Sequence, residues 1–209
     1  MTVKQLYKKD IFEKMGLSFK KGNTLLDVGC GDGDDDKIFI EKYSLKTWGT
    51  DIYKDKNIKN IKALNFKKGS IYKIPFKDNS FDYVFLHDVL HHIDEKNQST
   101  RLHLDGLKEL RRVCKRGGKI IILEANRYNP LFYPHMVKME GHNHFTKGYF
   151  IRIIRSIFPR SQFKYFEAHA YPSFVRFPFK IFEFFMEKVP FLEPFRAYNL
   201  AIVNNEKKE

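Results

Sequence analysis

The feature that most constrains this chain is a glycine-rich turn that directly follows a buried strand-like segment. Residues 25–36 read LLDVGCGDGDDD, so the apolar run 25–28 precedes Gly29, Gly31 and Gly33 and then a segment that can begin a helix. A turn of this kind presents backbone N–H groups and a helix N-terminus to a ligand at the carboxyl end of a strand. The turn therefore predicts an α/β chain that binds a nucleotide-like ligand there.

The rest of the sequence alternates strand and helix patterns. Strands are predicted at 24–28, 45–50, 66–71, 81–86, 119–124, 163–168 and 198–203. Helices are predicted at 34–43, at 146–158 with Thr146 as cap, and in a long segment that Asp94 caps and Gly117 ends. Such alternation predicts βαβ units and a mostly parallel sheet, with the ligand beyond the carboxyl ends of the strands. The 209 residues suit a single domain.

The charge of the turn distinguishes between two kinds of ligand. Aspartates occupy positions 27, 32, 34, 35 and 36, and a pyrophosphate beside Asp27 and Asp32 would meet like charge. A cofactor with a sulfonium and an ammonium group, such as S-adenosylmethionine, would be attracted instead. Asp51 follows the second strand, where a carboxylate can accept both ribose hydroxyls. The aspartates at 34–36 are expected to interact with the dipole of the helix they begin.

Four motifs in order carry a family resemblance. They are LLDVGCGDGD at 25–34, GTDI at 49–52, IPFKDNSFDYVFLHDVLHHI at 74–93 and LKELRRVCKRGGKIII at 107–122. Over about residues 20–125 the chain resembles class I S-adenosylmethionine-dependent methyltransferases, in particular the branch that acts on small quinone- or lipid-like molecules. The resemblance implies a doubly wound, mostly parallel, Rossmann-like seven-stranded sheet with its last strand antiparallel and a cap inserted after strand five.

The resemblance also implies a set of cofactor contacts. They are Asp27, Gly29, Cys30, Gly31, Asp51, Ile52, Ser70, Ile71 and His87. Ser70 stands where the family often has an acidic residue that holds the adenine amino group, and Ile71 would cover the ring. His87 stands just past strand four, where the family contacts the methionine part of the cofactor.

Histidines supply the catalytic candidates. His87, His91 and His92 follow strand four and are expected to face the cleft, where a neutral imidazole can accept a proton from the acceptor. The alternative is that they hydrogen-bond within the fold.

The segments 125–150 and 171–195 are expected to be cap or substrate elements. Candidate substrate residues are Glu124, Tyr128, His142 and His144. His142 and His144 with a carboxylate could ligate a metal, but no third ligand stands at a recognised spacing, so no metal site is predicted.

Charge and aromatic content bear on the partners. The formal net charge is +13, but the basic residues are spread along the chain without a basic arm, so nucleic acid is a less favoured partner than a small molecule. Twelve of the 21 phenylalanines fall within 150–195. The apolar segment 174–195 is either core, a hydrophobic acceptor pocket or membrane-surface contact, or a homodimer interface.

The expected function is transfer of a methyl group from S-adenosylmethionine to a small, partly apolar acceptor. An RNA methyltransferase and a non-catalytic S-adenosylmethionine-binding protein remain alternatives. The sequence has no apolar run of about 18 residues, no apolar leader and only two cysteines, Cys30 and Cys114. A cytoplasmic protein, with or without contact to a membrane surface, is therefore expected.

Overall fold

One twisted sheet of seven strands runs through the chain. The computed structural model describes residues 1–206. The strand order is β3-β2-β1-β4-β5-β7-β6. The strands are β1 Thr24–Val28, β2 Lys46–Thr50, β3 Leu64–Phe66, β4 Phe81–His87, β5 Cys114–Ala125, β6 Gln162–Phe166 and β7 Tyr198–Asn204. All pairs are parallel except those of β7 with β5 and β6, which confirms the predicted mostly parallel, doubly wound sheet.

Within the described residues, five α-helices flank the sheet. They are α1 Val3–Met15, α2 Asp34–Glu41, α3 Thr100–Val113, α4 Lys147–Ile157 and α5 Arg176–Lys188. Local signals fix several of their ends. The Thr2 hydroxyl accepts from the Gln5 N–H at 3.2 Å and begins α1, and Thr146 caps α4 in the same way. Among the described residues, no helix is long and apolar enough to cross a membrane.

The core has two halves because the strand side chains alternate between the two faces of the sheet. On one face, Leu26, Val84 and Ile122 pack with α3 and α4. On the other face, Leu25 and Phe85 pack with α1 and α2. The burial of both faces explains why the central strands are almost continuously apolar in sequence.

Three predicted boundaries are wrong. β3 covers Leu64–Phe66 rather than 66–71, since Gly69 packs closely on Pro75 and the chain leaves the sheet there. α3 begins at Thr100 rather than at Asp94, which has a φ of 50° and whose carboxylate accepts the Ser99 N–H. β5 begins at Cys114, so the glycines at 117 and 118 lie inside a strand instead of ending a helix.

The segments predicted as cap elements follow β5 and β6. Residues 126–146 connect β5 to α4 and contain a π-helical segment, Tyr133–Met139. Residues 167–197 connect β6 to β7 and contain α5. Helix α5 begins at Arg176 and tolerates Pro178, because this proline lies in the first turn, where its missing N–H removes no helical hydrogen bond.

The glycine turn offers a matched test of packing. Gly33 has a φ of 79°, and a Cβ there would lie 2.3 Å from Ile61 Cδ1, whereas Gly22 has a φ of 80° and no atom within 4 Å of such a Cβ. We expect Gly22→Ala to lower the free energy of unfolding by about 1 kcal/mol, through backbone conformation alone. Gly33→Ala should lower the free energy of unfolding by at least about 1 kcal/mol more than Gly22→Ala does, because the added methyl overpacks the core. Urea denaturation measures both, and equal losses would contradict this account of the turn.

Candidate functional site

The carboxyl ends of β1, β2 and β4 meet at one edge of the sheet and form an open cleft of about 660 Å³. That volume lies within the range of about 300–1,000 Å³ typical of small-molecule sites. The cleft brings together six of the predicted cofactor residues, namely Gly29, Gly31, Asp51, Ile52, Ser70 and Ile71. Six residues that follow β4 also line it, namely Asp88, Val89, His92, Ile93, Asp94 and Glu95.

The turn after β1 is held in place by β2 and by the wall of the cleft. The Gly29 N–H donates to the Thr50 carbonyl at 2.7 Å. Gly29 has a φ of 76°, and a Cβ there would lie 2.4 Å from Val89 Cγ2, so only glycine fits. Gly31 has open space around it. The backbone at Gly31 is therefore accessible to a ligand.

Asp51 directly follows β2, with its carboxylate at the cleft. One oxygen accepts the Gly31 N–H at 3.0 Å and the other accepts the Tyr53 N–H at 3.3 Å. A carboxylate has about four acceptor positions, so Asp51 can still accept hydrogen bonds from a ligand. Ile52 and Tyr53 are 56% and 69% exposed beside it and offer an apolar surface.

The other three predicted cofactor residues do not line this cleft. Asp27 is buried within β1. Cys30 packs against Ile58 and Ile61 on the far side of the turn. His87 bonds through Nδ1 to the Asp35 carboxylate at 2.7 Å. These three residues therefore affect the cleft through their charge or by supporting its structure, and they do not line it.

Asp35 is the centre of a buried ion network. Its carboxylate also accepts from Lys8 Nζ of α1 at 2.8 Å. Burial by itself would raise the pKa of Asp35, but the charges of Lys8 and His87 outweigh it and hold this pKa well below the usual range. Asp35 does lie in the first turn of α2, as expected. No local pattern indicates that Lys8, 27 residues away in the sequence, pairs with it.

Two further carboxyl groups, those of Asp36 and Asp27, lie close to Asp35 and have little nearby positive charge to offset their own. Asp36 is fully buried, and neither of its side-chain oxygens has a hydrogen-bond partner among the described residues. Burial, and then the charges of its two neighbours Asp27 and Asp35, raise the pKa of Asp36. Burial, Asp35 and Asp51 likewise raise the pKa of Asp27. Raised pKa values favour the neutral, protonated forms of Asp27 and Asp36. The carboxylates available to attract a positively charged ligand are therefore those that line the cleft, among them Asp51 and Asp88.

The three candidate catalytic histidines occupy different surroundings. His92 lines the cleft and is half-exposed, whereas His91 is buried and bonds through Nδ1 to Glu124 Oε2 at 2.8 Å. The second oxygen of Glu124 accepts the backbone N–H groups of Val89 and Leu90 at 3.0 and 2.7 Å. Glu124, a predicted substrate residue, is therefore fully buried and orients His91. His87 lies in the network around Asp35.

His142 and His144 lie against His91 and His92. The ring centroid of His144 is 4.2 Å from that of His91, and the ring of His142 is 5.6 Å from that of His92. Burial and the neighbouring His91 lower the pKa of His144 to about 4, so its ring is neutral at neutral pH. Tyr128 lies apart from this group, beside Tyr133.

Two acidic residues that the sequence analysis missed complete this region. Asp88 has a φ of 55°, and its Oδ1 accepts the Ala125 N–H at 2.7 Å. Glu95 accepts from His142 Nδ1 at 3.1 Å and lies 3.3 Å from His92 Nδ1. The position of Asp88 directly after β4, at the carboxyl edge, was the signal available for it.

The Asp35 network yields a pH-dependent prediction. We expect Asp35→Asn to lower the free energy of unfolding by about 3 kcal/mol at pH 7, because it leaves Lys8 and His87 without their buried partner. The folded pKa of Asp35 is depressed, so this stabilisation is present above pH 4 or so and is lost as the pH falls further. Urea denaturation at pH 7, 5 and 3 should show the difference between wild type and variant shrinking only at the lowest pH.

Asp34 supplies the matched control. It precedes Asp35 on α2 but is more exposed, at 27%, and pairs with Lys4 at 2.7 Å and Lys37 at 2.9 Å. Asp34→Asn should lower the free energy of unfolding by less than about 1 kcal/mol, because exposed ion pairs contribute little to stability. Equal costs for the two variants would show that the buried network does not stabilise the fold.

Comparison with known proteins shows what the part of the chain that contains this cleft is similar to. A family model described as a methyltransferase domain matches residues 26–122. An uncharacterized methyltransferase of Schizosaccharomyces pombe is 35% identical over 130 residues, which are 55% of this chain and 44% of that protein. Demethylmenaquinone methyltransferase of Staphylococcus aureus strain JH9 is 30% identical over 135 residues, 59% of this chain and 51% of that enzyme. The chain spans about half the length of these relatives.

Solved structures share the fold over nearly the whole chain. A SAM-dependent methyltransferase from Archaeoglobus fulgidus superposes with a TM-score of 0.68 at 18% identity, over 95% of this chain and 93% of that one. Phosphoethanolamine N-methyltransferase 2 of Haemonchus contortus, in complex with S-adenosyl-L-methionine, gives a TM-score of 0.64 at 17% identity, over 96% and 52% of the two chains. The predicted fold is therefore confirmed, and residues 26–122 are similar to a methyltransferase domain.

Proposed function

We propose that this chain transfers a methyl group from S-adenosylmethionine to a small, partly apolar acceptor. The observation that carries the proposal is the cleft itself, in which an accessible glycine turn and the Asp51 carboxylate lie above a cluster of buried aspartates. The similarity to demethylmenaquinone methyltransferase supports a quinone- or lipid-like acceptor.

Each part of the cofactor has a complementary region in the cleft. Asp51 would accept the two ribose hydroxyls, and Ile52 and Ile71 would cover the adenine ring, with Ser70 beside its amino group. The carboxylates that line the cleft, among them Asp51 and Asp88, would attract the sulfonium and the ammonium. The cofactor supplies an already activated methyl group, so the contribution of the protein is to align the acceptor and exclude water.

Of the three candidate bases, His92 is the one that we propose for proton removal from the acceptor. It lines the cleft and is half-exposed, so it can exchange its proton with solvent. The buried His91, with Glu124 bonded to it, is better suited to a supporting role, and His87 is engaged by Asp35.

The helix α5 supports an apolar acceptor that is delivered from a membrane surface. Its charged stripe faces inward, since the buried Glu183 pairs with Lys14 of α1 at 3.2 Å and with Lys180 at 2.6 Å. Three of its phenylalanines face outward, and Phe177 and Phe184 are 78% and 57% exposed, whereas Phe179 and Phe182 pack beside His169. This arrangement is the reverse of an ordinary surface helix.

The apolar surface continues beyond α5. Phe174 and Phe191 are 85% and 76% exposed on the segments that flank the helix, and Arg176 and Lys188 lie at its two ends. Exposed aromatic side chains bordered by basic residues fit the interface of an anionic bilayer. The net charge of +13 acts in the same direction.

The cofactor proposal predicts the effect of removing Asp51. Asp51→Ala should weaken S-adenosylmethionine binding by about 10- to 100-fold, because hydrogen bonds to a charged group contribute about 1.5–3 kcal/mol. Isothermal titration calorimetry measures the affinity. Asp55→Ala is the control, since Asp55 follows closely in sequence but lies outside the cleft. If Asp51→Ala binds as tightly as wild type, this placement of the ribose is wrong.

If this face of α5 contacts a membrane, its exposed phenylalanines should be required for binding to lipid vesicles. The double variant Phe177→Ser and Phe184→Ser should lose at least about tenfold in affinity for phosphatidylglycerol vesicles, since each exposed ring contributes apolar area on insertion. The matched variant with leucine at both positions keeps that area and should bind like wild type. Cosedimentation measures binding. Unchanged binding of the serine variant, or its conversion from a dimer to a monomer in light scattering, would indicate that this face has another partner.

A further inference from the structure

A group of histidines and carboxylates beside the cofactor cleft is larger than methyl transfer requires. His91 and His92 lie in a short 3-10 turn, Leu90–His92, after β4. His142 and His144 reach them from the segment that precedes α4, about 50 positions further along the chain. Two sets of these residues have ligand atoms within 4.8 Å of one another: His91, His92, Glu95 and His142, and Asp88, His91 and His144.

His144 distinguishes the inner set. Its side chain is 2% exposed, and both ring nitrogens are buried without a hydrogen-bond partner among the described residues. A buried imidazole in that state loses its hydration without compensation, which is rare in folded proteins. Its ring lies 4.2 Å from that of His91. A ligand that accepts electron pairs from both rings would remove the penalty.

The surroundings of His91 are those of a metal-ligating histidine. Its Nδ1 is bonded to the buried Glu124, which the N–H groups of Val89 and Leu90 fix in turn. This hydrogen bond leaves Nε2 as the ligating nitrogen. A carboxylate that orients a histidine through its other nitrogen is the usual outer shell of a zinc ligand.

Asp88 supplies the third ligand and connects the group to the cleft. One of its oxygens accepts the Ala125 N–H at 2.7 Å. The carboxylate also lies at the wall of the cleft that contains Gly29 and Asp51. Two imidazoles with one carboxylate suit Zn²⁺ and related divalent ions, and a three-ligand set leaves coordination positions open.

We propose that Asp88, His91 and His144 form a site for a divalent transition metal, with its open positions at the cleft. An acceptor that carries a hydroxyl or carboxylate oxygen would bind the metal there. This role in acceptor binding rests on the proposed function, whereas metal binding itself does not. The outer set around Glu95 is solvent-exposed, and its carboxylate already accepts from His142 and from the Asn143 N–H.

Metal binding is tested on the untagged full chain after treatment with EDTA and its removal. Zn²⁺ retained after gel filtration gives the stoichiometry, and the visible spectrum of added Co²⁺ reports the ligand geometry. We expect about one equivalent of Zn²⁺ per chain, as a single three-ligand site requires. Less than about a fifth of an equivalent would overturn the proposal.

Variants identify the ligands. H144Q should weaken Zn²⁺ binding by at least about 100-fold, and E124Q by about 10- to 100-fold, as loss of an outer-shell partner does. H142Q is the matched control for the outer set and should change the affinity by less than about threefold. Equal losses in H142Q and H144Q, or no loss in H144Q, would contradict the inner site. If H144Q does not fold by circular dichroism, D88N tests the same set.

Titration of S-adenosylmethionine into the metal-free chain separates this proposal from the preceding one. Cofactor binding without Zn²⁺ binding overturns only the metal site. Zn²⁺ binding without cofactor binding overturns only the proposed methyl transfer.

Discussion

Burial of three carboxyl groups at the base of the glycine turn is the constraint on which the rest of the structure depends. Asp27, Asp35 and Asp36 are all buried. Burial raises the pKa of Asp27 and Asp36 and so favours their neutral forms, whereas Asp35 bonds to Lys8 and His87. Lys8 belongs to α1, so the network ties the N-terminal helix to α2 and β4. The apolar contacts of Ile11 and Phe12 then complete the packing of α1 on the sheet.

The same charges determine what the cleft can hold. A diphosphate would need the turn to supply positive potential, but the turn has buried carboxyl groups beneath it and Asp51 beside it. A sulfonium cofactor with no phosphate is attracted by the carboxylates that line the cleft, Asp51 among them. The open space around Gly31 then admits the cofactor close to the backbone. Charge thus determines which cofactor the cleft binds, and the glycines leave space for it beside the backbone.

The sequence predicted the features that depend on neighbouring residues. The alternation of strands, the Thr146 cap and six of the cleft residues follow from local pattern and from the resemblance. The position of β3 and the start of α3 do not, because packing of Gly69 on Pro75 and the left-handed conformation of Asp94 decide them. The meeting of His144 with His91 depends on how the segment before α4 folds back, and no spacing in the sequence encodes it. The inward position of Glu183 on α5 is likewise not encoded by any spacing, because it depends on the ion pair with Lys14.

The most direct test of the central claim is a calorimetric comparison of S-adenosylmethionine with NAD on the same untagged protein. Both ligands carry an adenosine, and Asp51 can accept hydrogen bonds from its ribose hydroxyls. In S-adenosylmethionine this adenosine is attached to a sulfonium, whereas in NAD it is attached to a diphosphate. The account predicts saturable binding of S-adenosylmethionine and affinity for NAD that is weaker by at least about 100-fold, or about 2.7 kcal/mol. Equal affinity, or tighter binding of NAD, would contradict the electrostatic basis of the assignment.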